Sequence, residues 1–413
     1  MATSGGVLGI SSATAAGARA LTLVSVEPAS GAVAALLGLD ASLGWFFDSD
    51  TAVDPETGTY FAALASSETT SVIYAIDAGI SSSTSSRSSS SSSSPPRILS
   101  NTSAPFLISN LAFHGGKLFA VAPCAKNANT DCVYTAVAAA MAANSSGNNS
   151  SNSSIKDLPP SSFEQWAALP SQWVAVTDGA ALDERGAGRG GVLYIYAVNM
   201  YNISVSWATV FGFDVSSGAL VSQARHAFGS AHARHGLQIP QPKVQSNFSQ
   251  HRVRRLGLWD HGGTRSGAAG AASVSEKDVG GDPPPPALEI IFSLFFDPAL
   301  HRVVALCSGV RYAVPWTGYY LAVLDLQGDN VVATPIGYTA IFGDGWPTGY
   351  SDAYPLVQGI GGPLRAFYCT FFLKPVDPAQ DEAAWLVAIN LDNGNVTSTA
   401  KSFPTNLVDL QGM

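Results

Sequence analysis

The residues best suited to chemistry lie in three loops that mix aromatic rings with acids. Leu39–Asp50 holds Trp45, Asp48 and Asp50; Ser308–Gly318 holds Arg311, Tyr312 and Trp316; Tyr338–Tyr354 holds Phe342, Asp344, Trp346, Tyr350 and Asp352. An indole or phenol offers a large flat apolar face with a polar edge. Such rings beside carboxylates and glycines suit a sugar ring or a peptide side chain. Carboxylates converging there, such as Asp50, Asp344 and Asp352, would instead suit acid–base work in a hydrolase or an oxidoreductase. The competing reading is structural, because tryptophans also wedge between packed sheets.

Other candidate centres fail on spacing. His226, His232, His235, His251 and His261 all fall within Arg225–Arg265, a basic, Gly/Ala-rich span whose single acid is Asp260. Their irregular spacing fits no metal set, so the span reads as a solvated basic loop, with docking of an acidic partner as the alternative. With most histidines there, and His114 and His301 at strand-to-strand turns, no Ser–His–Asp order can be built. Gly186–Gly191 formally contains G-x-G-x-x-G, but the β-rich run LYIYAV follows it. A dinucleotide site needs a helix at that point to meet the pyrophosphate. No metal and no cofactor is expected.

A formal charge of −9 argues against a nucleic-acid partner. No apolar run reaches the ~18 residues of a bilayer span. The expected partner is a protein or a glycan, and the expected state a monomer. Cys124 and Cys132 flank the polar loop AKNANTD and suit a hairpin disulfide in an oxidising compartment. Cys307 and Cys369 end equivalent strands of neighbouring sheets, which diverge beyond disulfide reach, so they are expected to be buried thiols. N-x-S/T triplets begin at Asn101, Asn144, Asn148, Asn149, Asn152, Asn202, Asn247 and Asn395, and favour a secreted or lumenal glycoprotein. Against that, the amino terminus shows neither a Lys/Arg-led start nor a long apolar stretch of a signal peptide.

What must position the loops is a repeat. Leu288–Gly337 contains four β-rich runs, Leu288–Phe296, Arg302–Cys307, Tyr319–Leu326 and Val331–Thr334, separated by turn residues such as Asp297-Pro298 and Gln327–Asn330. That is an up-and-down antiparallel sheet. Its second half recurs as an apolar run, an acid or Asn, a short gap, Gly and another apolar run: Leu21–Val33, Ala208–Val221 and Ala384–Val396. Its first half recurs as small-plus-aromatic strands at Gly58–Leu64, Gly116–Ala122, Gly191–Val198 and Leu364–Cys369. Tyr134–Ala143 is the one helix candidate. The composition marks residues 1–20 as a disordered lead and 21–413 as the body, with disordered inserts at about 80–104, 138–162 and 226–286.

Setting the inserts aside leaves roughly 47 residues per unit, within the ~40–50 of propeller blades. Leu21–Val33 and the orphan apolar run Asn406–Leu410 would complete one composite sheet and close a ring, which needs no capping units. The repeat resembles a β-propeller of the loose class that includes quinoprotein-like and NHL/YVTN-like proteins. The resemblance implies an all-β fold, a single β-propeller of about six four-stranded antiparallel blades, or seven if a degenerate blade lies at Leu237–Leu258. It also implies that first strands line a channel, and that the three aromatic loops share one face. Quinoprotein blades carry an acid, a Thr-Gly turn and a docking Trp. Asp214–Gly218 and Asn390–Gly394 keep the turn, but no Trp follows, so no quinone cofactor is expected. The function expected is a non-catalytic interaction module; a propeller enzyme with carboxylates at the channel mouth is the alternative.

Overall fold

A computed structural model describes residues 7–15, 18–39, 45–54, 56–67, 69–78, 95–138, 163–184, 190–199, 207–227, 287–310, 317–337, 350–361, 365–377, 379, 383–400 and 407–412. Every named element is a strand. β1 (Val7–Ala15), β2 (Ala18–Val26) and β3 (Val33–Gly38) belong to blade 1, and β4 (Trp45–Asp54), β5 (Thr59–Ala65), β6 (Ser71–Asp77) and β7 (Arg97–Ala104) form blade 2. Blade 3 is β8 (Asn110–His114), β9 (Lys117–Cys124), β10 (Asn127–Val137) and β11 (Glu164–Ala168); blade 4 is β12 (Trp173–Asp183), β13 (Val192–Asn199), β14 (Trp207–Asp214) and β15 (Leu220–Ala227). Blade 5 is β16 (Ala287–Asp297), β17 (Arg302–Val310), β18 (Thr317–Asp325) and β19 (Val332–Pro335); blade 6 is β20 (Tyr350–Gly361), β21 (Ala366–Pro375), β22 (Ala383–Asn390) and β23 (Val396–Ala400). The last strand, β24 (Leu407–Gly412), returns to blade 1 and gives the order β24-β1-β2-β3.

The strands β24, β4, β8, β12, β16 and β20 touch in that cyclic order, so they are the inner strands of a closed ring. The chain is a six-bladed β-propeller. Closure rests on the antiparallel pairing of β24 with β1, with Leu8 opposite Gln411 and Gly9 opposite Leu410.

No single centre holds the apolar core; each gap between blades holds its own. The small-plus-aromatic strands explain this. In β5, Phe61 and Ala63 pack toward blade 3 while Tyr60, Ala62 and Leu64 pack toward blade 1, so the strand is buried on both faces. In β17, Val303, Ala305 and Cys307 face blade 4, and Val304 and Leu306 face blade 6. Alternation of side chains across a strand makes this two-sided burial possible, and a small residue beside each ring lets adjacent sheets approach.

The turns repeat as well. Asp214 Oδ1 accepts the Ser217 amide at 2.9 Å, and Asn390 Oδ1 accepts the Asp392 amide at 2.7 Å. A short acceptor side chain folding back on its own turn explains the recurrent acid or Asn. Gly218 and Gly394 close the two turns at φ 72. A Cβ at Gly218 would lie 2.7 Å from the Trp166 carbonyl of blade 3, and one at Gly394 would collide with the Ile336 carbonyl of blade 5. These glycines are therefore required both by conformation and by the neighbouring blade.

Several expected boundaries move. The stretch 1–20 contains β1, whose Val7, Leu8 and Ile10 are buried at 1%, 2% and 0% exposure, so the disordered lead is corrected to a core strand. Its small residues hid it, because a strand can be held by ladder pairing as well as by bulk. The expected insert 80–104 overlaps β7, which pairs with β6 through its backbone. An outer strand buries little, so its sequence RILSNTSA lacks apolar density. Tyr134–Val137 belongs to β10 rather than to a helix, because Tyr134 pairs with both Ala120 and Gln165. Blade 4 meets blade 5 directly through β12 and β16, leaving the count at six; Leu237–Leu258 lies outside the described residues.

Deleting Pro404–Met413 removes β24 and opens the ring. The melting temperature should fall by roughly 10 °C or more, as a loss of ~5 kcal/mol implies at about 2 °C per kcal/mol. A thermal melt followed by circular dichroism checks this; an unchanged curve would contradict closure.

Candidate functional site

Strand direction gives the ring two unlike faces. Inner strands start at an upper face, which also carries the second-to-third-strand loops and the blade-to-blade loops. They end at a lower face that carries the first-to-second-strand and third-to-fourth-strand connections, most of them short turns and two of them long, at 78–96 and 138–163. There the polar groups hold neighbouring blades together. Buried Asp297 of blade 5 takes Arg302 at 3.1 Å and Arg365 of blade 6 at 3.1 Å, and Arg302 also donates to the Leu391 carbonyl. Along the outer strand of blade 4, the Arg225 amide donates to the Asp329 carbonyl of blade 5 at 2.8 Å, and the Val331 amide returns the bond at 2.8 Å. His114 of blade 3 lies 3.8 Å from Glu184 of blade 4. Asp214 is a turn cap, its carboxyl held below the usual carboxylate range by the hydroxyls of Ser216 and Ser217.

The channel wall of blades 2 to 4 carries a second polar ladder. Asp50 in β4 accepts the Leu111 amide of β8 through Oδ2 and the Thr51 amide through Oδ1 at 2.7 Å. Fully buried Asn110 accepts the Gly179 amide at 2.8 Å and donates to the Val176 carbonyl at 3.0 Å. Those two groups lie within the register shift in β12 between Ala175 and Ala180, where Asp178 stands at φ 57. The bulge frees backbone groups from the ladder, and Asn110 satisfies them. Buried Asp131 of β10 accepts the Ala175 amide at 2.8 Å. Each acid or amide thus ties a strand to the next blade's inner strand.

The expected site residues divide into three groups. Arg311, Tyr312, Trp316, Phe342, Asp344 and Trp346 lie outside the described residues. Trp45 starts β4, and Tyr350 and Asp352 start β20, all at the upper face. Asp50 is a strand-to-strand tie. The flanking strands β17, β18 and β20 also reach that face, so the Ser308–Gly318 and Tyr338–Tyr354 loops spring from blade 5 and its junction with blade 6. Trp45 starts the inner strand of blade 2, three blades round the ring of six from blade 5, so the strands that bound its loop do not adjoin those of blade 5.

Three tryptophans with described side chains are wedges. Trp166 meets Phe119 of its own blade edge-on at 5.2 Å and Phe213 of blade 4 at 6.4 Å, Trp173 packs against the same gap core of blades 3 and 4, and Trp385 packs into the gap between blades 5 and 6. Trp166 also covers Gly218, so a docking indole does exist, on the preceding blade's outer strand rather than after the turn. His226, expected in a solvated loop, is 2% exposed at the end of β15, with its Nδ1 3.1 Å from the Tyr196 hydroxyl.

The cysteines fall as expected. Cys124 and Cys132 form a disulfide across the β9–β10 hairpin. Beside it the Tyr134 hydroxyl donates to the Pro123 carbonyl at 3.1 Å, and its ring stacks on Phe106 at 4.2 Å. Cys307 and Cys369 are free and buried in different gaps, and burial raises both thiols above their usual range, which makes them poor nucleophiles. Among the described residues no three His, Cys, Asp or Glu side chains cluster as a metal site, and no helix is long and apolar enough to cross a membrane.

No protein-family model matches the chain, and no curated protein does. Solved structures align with it at low identity and low TM-score. The Dos1 propeller aligns at 10% identity over 89% of this chain and 64% of that one, with a TM-score of 0.35; the chain thus spans about two-thirds of its length. Sqt1 of Saccharomyces cerevisiae aligns at 10% identity over 94% and 81%, with a TM-score of 0.36. The SapL1 lectin, solved with alpha methyl fucoside, aligns at 9% identity over 95% and 96%, with a TM-score of 0.36.

Replacing Asp50 by Ala leaves the buried Leu111 amide without its acceptor. Stability should fall by ~2 kcal/mol in a denaturant melt, with Asp50→Asn costing less because the amide oxygen can still accept. A neutral Asp50→Ala would mean that the carboxylate does not tie blades 2 and 3.

Proposed function

We propose that this protein is a non-catalytic propeller interaction module that binds a protein or a glycan at its upper face. The contact residues are Arg311, Tyr312 and Trp316 from one loop and Phe342, Asp344, Trp346, Tyr350 and Asp352 from the other, with Trp45 of blade 2 as a further candidate. The observation that carries this reading is the use made of Asp50. A catalytic carboxylate must be available to a substrate proton, and this one accepts two backbone amides, one from the adjacent blade. The lower-face acids are engaged in turns and blade contacts in the same way. A recognition surface has no such requirement; it needs exposed flat rings and a rigid frame, and the ring of blades supplies the frame.

The test is Trp346→Ala in the full chain, assayed by thermal melt and by a glycan array with a parallel protein pull-down. A ligand-facing indole loses ~2 kcal/mol or more of binding on truncation, with little change in melting temperature. A wedge between blades would instead lose ~3–5 kcal/mol of stability. That second result would remove Trp346 from the site and overturn the reading at this loop.

A further inference from the structure

We propose that Asn395 is an N-linked glycosylation site. It heads the triplet Asn395-Val396-Thr397 and is exposed at the end of the lower-face turn between β22 and β23, with Thr397 exposed two residues on. The turn holds three asparagines, and their side chains differ in use. Asn390 Oδ1 accepts the amides of Asp392 and Asn393, at 2.7 and 3.2 Å, and Asn393 Oδ1 accepts the Asn395 amide at 2.9 Å. Asn395 is held through its backbone, its carbonyl accepting the Asn390 amide at 2.9 Å. Among the described residues no hydrogen bond engages its carboxamide. The turn is therefore built without that side chain, which projects from a finished structure and can carry a bulky substituent without strain.

The second observation is the Cys124–Cys132 disulfide in blade 3. A disulfide of this kind forms in an oxidising compartment, and entry there exposes the chain to the machinery that reads Asn-x-Ser/Thr. The other triplet with described residues serves less well. Asn101 is half-buried within β7, opposite Tyr74 in the ladder, and its neighbour Thr102 is 1% exposed. The remaining triplets lie outside the described residues.

The transfer balances with one co-reactant, an oligosaccharide carried on a polyprenyl pyrophosphate. Asn395 Nδ2 bonds to the anomeric carbon, the anomeric C–O bond breaks, and the lipid pyrophosphate leaves with the bonding pair. One proton leaves the carboxamide nitrogen. A glycan here would sit on the lower face, on the opposite side of the ring from the proposed recognition surface.

The test uses the full chain secreted from a eukaryotic host, with the disulfide verified by mass spectrometry. Peptide mapping after glycosidase treatment in heavy-oxygen water should show Asn395 converted to a labelled aspartate. Asn395→Gln and Thr397→Ala should each remove one glycan step on a gel, whereas Thr397→Ser should retain it. A wild-type chain that is secreted with its disulfide formed, and whose Asn395 peptide is unmodified, would overturn the proposal whatever the variants do. So would an unmodified wild-type chain that fails to be secreted, because a chain that never enters the compartment has no such site.

Discussion

The pairing of β24 with β1 places strands from opposite ends of the sequence in one sheet, and the remaining order depends on it. Without β24, blade 1 lacks its inner strand, and the gap cores on its two sides lose a wall. Val7, Val24 and Val26 pack against blade 6, and Leu8, Ile10, Leu21 and Leu23 pack against blade 2. Because every gap core is built from two blades, removing one blade's order exposes apolar surface on two neighbours. A ring distributes this dependence evenly, and no sheet needs a polar cap.

The polar side chains follow from the same geometry. Blades packed face to face leave backbone groups at the turns and at the bulge in β12 that the ladders cannot satisfy. Asp50, Asn110 and Asp131 each meet a backbone group of the next blade's inner strand, and Asp214, Asn390 and Asp297 meet turn groups on the lower face. A carboxylate accepting backbone amides gives rigidity and is withdrawn from acid–base chemistry. The short lower-face turns are thereby committed to holding the ring together, and the longer connections are left as the places where loops can vary at little cost to the frame.

Much of the ring was legible because its strands carry a two-sided signal. The small-plus-aromatic pattern at Thr59–Ala65 and Ala366–Phe371 and the acid-to-Gly turns at Asp214 and Asn390 report local physics that recurs in each blade. β1 and β7 were not legible as strands. β1 is rich in Ser, Ala and Gly and buries only a few large residues such as Val7, Leu8 and Ile10, and β7 is a half-exposed outer strand; backbone pairing holds much of both and leaves little trace in side-chain choice. Asn110 and Asp131 carry no local signal, since the amides they satisfy lie in another blade. Asp50 was visible as an acid near aromatics, but sequence could not tell a catalytic carboxylate from a tie to Leu111. The Trp166 contact was missed for a related reason: the indole docks on a glycine of the following blade, some distance on in the chain.

Native-state hydrogen exchange on the intact chain tests closure most directly, because it reads the stability of the β24–β1 pairing without altering it. If the ring is a single cooperative unit, the paired amides of β1 and β24 exchange as slowly as those of β17 and β21 and open only with global unfolding. Fast exchange confined to β1 and β24, with the strands of blades 2 to 5 still protected, would show that the ring does not depend on that seam and would contradict the account.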